Sequence, residues 1–319
     1  MSAEIASHII AYDCGIAALD SGLGRRRLTA IHLIVERGHA VVVDTGGARS
    51  VPRVLDALAL LGVPPHNVDY VILTHVHLDH AGGAGALMQH LPNASLTVHP
   101  RGTRHVVEPS RLVEGTDAVY GEGYVERAYG AVVPVAAERI IETPDGSRVE
   151  LQGRELLFFD TPGHARHHVC VWDAKARAVF TGDTFGLAYT ELDDARQRYI
   201  FPTTSPTQFD AEEAHRSVDR IAELRPRAAY LAHYGEVRDV AARASDLHRL
   251  IDAHAALALA ERDSGEERAG RLRAGVERIA LAEADRRGWT HRREEVLALM
   301  RDDIELNALG IACWLDART

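Results

Sequence analysis

His75-Val76-His77-Leu78-Asp79-His80 is the stretch that decides the reading, because three imidazoles and one carboxylate fall within six positions. It follows the run Asp69-Tyr70-Val71-Ile72-Leu73-Thr74 and leads into Ala81-Gly82-Gly83. The apolar run is too short for a helix and suits a buried strand, so the polar cluster sits on a turn at a strand end. Titratable groups crowded at such a place destabilise a fold unless something compensates. A bound cation compensates directly, since imidazole and carboxylate are ligands that zinc, iron and manganese prefer.

Working outward, two apolar runs at 31–35 and 40–44 flank Arg37-Gly38-His39 and read as a β-hairpin leading into Asp44-Thr45-Gly46-Gly47. Ser50, Pro52, the helical spacing of Val54, Leu55, Leu58 and Leu61, and Gly62 as a stop mark a helix packed by one face. A short helix is expected near 83–90, strands at 95–99, 156–160, 168–172 and 178–181, a helix over 211–224 and a strand at 228–232. Hairpins such as 169–180 make the sheets mixed, so a layered α/β architecture is favoured. Residues 101–137, with Tyr120, Tyr124 and Tyr129 among glycines, read as irregular, either a lid or a surface connection. From about Glu236 the chain is rich in Ala, Leu, Arg and Glu and reads as about three helices, with 263–269 a turn between two of them.

The chain has 319 residues, 36 basic against 46 acidic, for a formal net charge of −10. That balance argues against nucleic acid as the main partner. Apolar residues make up 46% and charged residues 26%, a globular composition with ample core for one large domain or two smaller ones. The first residues have neither a basic run nor an apolar stretch of secretory length, and no apolar run approaches a membrane span. Cys14, Cys170 and Cys313 are an odd number without a C-x-x-C pair, so a reducing cytoplasm is expected.

The motif set resembles the metallo-β-lactamase superfamily. After H-x-H-x-D-H come T-P-G-H at Thr161–His164, T-G-D at Thr181–Asp183 and L-A-H at Leu231–His233, each after an apolar strand, and D-T-G at Asp44–Gly46 precedes them. The resemblance spans roughly two thirds of the chain and implies an αββα sandwich, at residues 1–237, with a helical C-terminal extension at 238–319. It implies that His75, His77 and His164 hold one metal, that Asp79, His80 and His233 hold a second, and that Asp183 bridges them. The local geometry agrees with that split: along an extended turn His75 and His77 point to one side, while Asp79 and His80 at the next bend reach another cation.

Other residues have plainer readings beside functional ones. Asp44 fixes the loop near the metals by hydrogen bonds more readily than it binds metal. His168 starts a strand and reads as structural, whereas His167 could support a ligand. Tyr189 and Tyr234 could donate to a developing oxyanion or simply pack. Cys170 reads as a small buried hydrophobe, and Arg25–Arg27 as a solvated loop.

The resemblance implies a hydrolase that uses two divalent metal ions, zinc first with iron or manganese as alternatives. Its substrate would be a small ester, thioester or lactone attacked by a metal-bridging hydroxide, with Asp79 and Asp183 at the chemistry. His77 speaks against diiron members that carry an acidic residue there, and Asp183 against the commonest true β-lactamases. Glyoxalase II-like thioesterases share all seven ligands, but their basic glutathione-binding segment has no counterpart after Glu236. The alternative is a mononuclear iron persulfide dioxygenase, followed by a small phosphodiesterase or a non-catalytic metal-binding protein. T-P-G-H-x-x-H-H and the E-L-N-A-L-G segment at 305–310 point to a prokaryotic branch of metal-dependent hydrolases. The expected partners are a small-molecule substrate and a second copy in a homodimer, with no nucleic acid and no membrane.

Overall fold

The computed structural model describes residues 7–193, 198–289 and 292–318. Close contacts divide the chain into two units. The first runs to Asp160 and resumes at His167–Gly182 and Pro226–Arg238; the second is Thr161–Arg166, Asp183–Arg225 and the chain from Asp239. The chain crosses between the units five times, the last time at 238/239.

One seven-stranded sheet belongs to the first unit and follows chain order: β1 (Ile9–Ala11), β2 (Ile16–Asp20), β3 (Ala30–Glu36), β4 (His39–Val43), β5 (Val68–Ile72), β6 (Ser95–Val98) and β7 (Ile140–Glu142). Pairing is antiparallel from β1 to β4 and parallel from β4 to β7. The two-residue loop between β3 and β4 is Arg37-Gly38, both with positive φ (49° and 79°), which matches the twist of a tight hairpin. Helices α1 (Val51–Leu60), α2 (Leu78–Ala81), α3 (Ala84–Met88), α4 (Thr103–Val107), α5 (Ser110–Tyr120) and α6 (Tyr124–Tyr129) connect its strands.

The second sheet has β8 (Arg148–Leu151), β9 (Arg154–Asp160), β10 (Val169–Asp173), β11 (Ala178–Ala188), β12 (Ile200–Phe201), β13 (Ala228–His233) and β14 (Gly235–Val237). Its order is β14-β13-β11-β10-β9-β8, with β12 paired to the end of β11. Strand β4 shows why two layers form. Ala40 and Val42 join a cluster with Val54 and Leu58 of α1, while Val41 and Val43 join Phe158, Val171 and Phe180 of the second sheet. A period of two thus gives both faces of one strand an apolar partner, and each fully buried valine stabilises by about 1.5–3 kcal/mol. The α/β class expected from the sequence is the one observed.

Residues 101–137 differ from expectation, since they hold α4, α5 and α6. Helix α5 has no fully buried residue, so it lacks the apolar stripe by which a helix is recognised in sequence. Asp117 holds the next turn by accepting from the Gly123 and Val125 amides at 3.0 and 2.9 Å.

The second unit contains α7 (Ala211–Glu223), α8 (Val240–Ala260), α9 (Arg268–Arg286), α10 (Arg293–Leu299) and α11 (Arg301–Asp316). Asp210 caps α7 by accepting from the Glu213 amide at 2.9 Å. Among the described residues four α-helices therefore follow residue 238 where about three were expected, because the last stretch breaks at Met300. The buried carboxylates of Asp246 and Glu283 are met by Arg243, Arg249, Arg286 and Arg287, whose forked guanidinium groups suit such pairing. Among the described residues no helix is long and apolar enough to cross a membrane.

Candidate metal centre

In the first unit, β5 runs out at Ile72 and the chain continues through Thr74 into the histidine cluster. His77 stands just before α2, which carries Asp79 and His80. His233 ends β13. His80 Nε2 and His233 Nε2 lie 3.1 and 3.3 Å from Asp79 Oδ2, and 3.3 Å from each other. The other ring nitrogens determine what these atoms are. His233 Nδ1 lies 2.8 Å from the Leu28 carbonyl oxygen, which only accepts, and His80 Nδ1 lies 3.1 Å from Asp44 Oδ2. Both Nδ1 atoms therefore carry the proton, and in neutral rings both Nε2 atoms present lone pairs.

Two imidazole lone pairs and a carboxylate oxygen thus converge on one point. Tetrahedral bonds of about 2.0–2.2 Å place ligand atoms roughly 3.4 Å apart, close to the spacing seen here, so the donor set fits a cation. Burial pushes the Asp79 carboxyl up, but when His80 and His233 carry a second proton, on Nε2, their charge and hydrogen bonds hold it well below the usual carboxylate range.

The D-T-G segment builds this geometry. Asp44, with φ 60°, accepts from the Thr74 amide at 2.8 Å and from the Thr74 hydroxyl at 2.9 Å as well as from His80. Thr45 donates to the His80 carbonyl from its amide at 2.7 Å and its hydroxyl at 2.8 Å. Asp44 is thus an acid that fixes the loop through Thr74 and holds the His80 ring.

His75 Nε2 and His77 Nδ1 are 3.0 Å apart. The His168 ring lies 5.0 Å from that of His75, and a side chain at Gly182 would collide with it. His167 lies 5.8 Å from His77. Burial, then the neighbouring His77, lowers His167 to about 3, and burial followed by His80 holds His168 well below the ordinary range. Cys170 is fully buried in β10, as its sequence context implied.

In the second unit, His164 Nε2 and Asp183 Oδ2 face each other at 3.5 Å. Tyr189 is also there, its hydroxyl donating to Asp303 Oδ2 at 2.6 Å. Tyr234 of the first unit is buried in a small cluster with Ala18 and Ala30, and burial raises its pKa, with Tyr12 and Asp20 adding to the effect. Sequence reasoning gave no role to Thr74, which ties Asp44 to the histidine turn; burial, and then the charge of Asp79, raises the pKa of Tyr129.

A family model of the metallo-β-lactamase superfamily matches residues 24–233. The chain belongs to that superfamily, whose members bind metal ions. Among its relatives is a metallo-β-lactamase fold-containing protein of Sulfurisphaera tokodaii, ST1585, 27% identical over 216 residues that cover 66% of this chain and 74% of that one. The acyl-coenzyme A thioesterase MBLAC2 of Gallus gallus is 30% identical over 161 residues, 45% of this chain and 52% of the thioesterase, so the chain spans about half that relative's length. The solved structure of TTHA1429 from Thermus thermophilus superposes with a TM-score of 0.66 at 22% identity, covering 95% of this chain and 94% of the other, a likeness of fold.

Asp44→Asn is expected to weaken metal binding about 10–100-fold, as loss of a ligand-orienting partner does. Competition with a chromogenic chelator measures the loss. Because asparagine tolerates the left-handed backbone, far-ultraviolet circular dichroism should stay as in the parent chain.

Proposed function

We propose that the chain is a metal-dependent hydrolase of a small ester, thioester or lactone with a dinuclear centre. His75, His77 and His164 hold one ion, Asp79, His80 and His233 the other, and Asp183 bridges. The observation that carries the reading is the convergence of three lone-pair donors at Asp79, His80 and His233, with each imidazole's other nitrogen already committed. The thioester class is supported by the activity for which the MBLAC2 relative is named. The facing of His164 and Asp183 supports their part in the set.

Divalent ions, when bound, supply a Lewis acid and lower the pKa of a bound water towards neutrality. The chain's own residues do the rest. Leu28 and Asp44 hold the protons of His233 and His80 on Nδ1, so both rings stay oriented as ligands. Asp79, with a side chain 28% exposed, is the trio's solvent-facing member, and as an ionised carboxylate it would orient the attacking water or hydroxide. No side-chain nucleophile enters the scheme, and Tyr189, already bonded to Asp303, is given no part in it.

The test is elemental analysis of protein purified without added metal, combined with a panel of aryl esters, lactones and acyl thioesters assayed with and without oxygen. Two zinc ions per chain and oxygen-independent hydrolysis are expected. One iron per chain with oxygen consumption on a persulfide would overturn the proposal in favour of the dioxygenase.

A further inference from the structure

The segment E-L-N-A-L-G has no place in the scheme so far, yet it grips a stretch of chain that reaches His164. The loop around His164 is pinned through its backbone: Ser217 donates to the Pro162 carbonyl at 2.6 Å, and the Asp210 amide to the Gly163 carbonyl at 2.9 Å. Gly163, at φ 121°, packs so closely on α7 that a side chain there would strike Ala214. These contacts act on the backbone of the loop. With Nε2 directed at Asp183, the nitrogen on the other side, Nδ1, lies 3.4 Å from Ser205 Oγ.

Ser205 follows β12, which ends at Phe201. The chain beyond is held from α11. Asn307, only 1% exposed, donates from Nδ2 to the Pro202 carbonyl at 2.9 Å and accepts at Oδ1 from the Thr204 amide at 2.7 Å. The Thr204 hydroxyl donates to the Asn307 carbonyl at 3.0 Å. One side-chain amide thus serves a donor and an acceptor two residues apart, as a neighbouring strand would. One turn further on, a Cβ at Gly310 would fall on the Thr204 carbonyl oxygen, so only glycine lets α11 approach this far.

We infer that Ser205 is a positioning residue for His164, accepting the Nδ1 proton while Nε2 ligates, and that Asn307 and Gly310 of α11 hold Ser205 in place. This rests on the metal-dependent reading above. A ligating imidazole is oriented by the partner of its other nitrogen, and removing such a partner typically costs 10–100-fold in metal affinity. The C-terminal helices therefore contribute to the geometry of a metal ligand some 140 residues earlier in the chain.

The test compares the parent chain with Ser205→Ala, Ser205→Thr and Asn307→Ala, each stripped of metal and titrated with zinc against a competing chelator and with cobalt(II) followed by its visible spectrum. Ser205→Ala should weaken uptake of one ion by about 10–100-fold and alter the cobalt spectrum, while the melting temperature of the metal-free chain stays at the parent value. Ser205→Thr should restore both. Asn307→Ala should reproduce the affinity loss, and adding Ser205→Ala to it should weaken uptake no further, as expected for residues acting in series. Equal affinity and spectrum for Ser205→Ala and the parent would overturn this inference alone. A parent chain that takes up no metal would overturn the underlying reading and this inference with it.

Discussion

Asp183→Ala is expected to cut hydrolysis of the best ester or thioester by about a thousandfold or more and to lower the bound metal from two ions per chain towards one. The proposed bridge is the one ligand shared by both ions, so its loss removes a bond from each and the negative charge that lets two cations sit together. His164, which faces Asp183 across 3.5 Å, loses its opposing carboxylate in the same variant. Prolonged chelation should abolish activity to the same degree, with recovery on adding zinc to the parent but only weakly to the variant. Turnover that survives both treatments, or an acyl-enzyme trapped during turnover, would count decisively against a metal-held hydroxide.

The second large effect is on stability in acid. His32 lies between the sheets, its ring 5.5 Å from Phe180 and 5.7 Å from Tyr230, and burial lowers its pKa from 6.5 to about 3. His254, beside Phe201, is lowered by burial to about 4. Below pH 6.5 the unfolded chain binds protons at these positions and the folded chain does not. The stability they provide is therefore complete above pH 6.5 and is lost as the pH falls towards 4 and then 3. Each contributes a slope of about 1.4 kcal/mol per pH unit within its window. Urea denaturation of the metal-free chain at a series of pH values should show that slope. His32→Leu should flatten it by about one proton's worth and leave the midpoint at pH 7.5 little changed, because His32 Nε2 has no hydrogen-bond partner among the described residues. An unchanged slope in the variant would show that the ring is protonated in the folded chain.

Much of the fold was readable where apolar pattern and turn chemistry coincide. The hairpin β3–β4 announces itself by two apolar runs around Arg37-Gly38, and β5 by a short apolar run before the histidines. Strand β1, with three residues, and the three-residue β7 are too short to carry a period. Strand β2 is buried throughout, so it shows no alternation. Helices α4 to α6 escaped because little of their surface is covered.

The histidine turn stands out because its chemistry is compressed into six residues, and the later candidates because each follows an apolar run, although only His233 ends a strand: Asp183 lies inside β11 and His164 beyond β9. The residues proposed to orient them left weaker traces. Thr74, Ser205 and Asn307 are uncharged, common side chains whose significance lies in partners distant in sequence, and Leu28 acts through its carbonyl, for which any residue would serve. Asn307 and Gly310 belong to a segment noticed in the sequence, but only their contacts with 202–205 give it a physical meaning.

The left-handed backbone at Asp44 bears on how this chain could change over generations. At φ 60° few side chains are tolerated, and asparagine is among them. A single-base change in an aspartate codon supplies asparagine, so the backbone gives no protection against losing the carboxylate there. Selection at that codon would have to act through what the carboxylate holds, Thr74 and the His80 ring, and where that selection lapsed, a lineage could keep its architecture while the proposed centre fell silent.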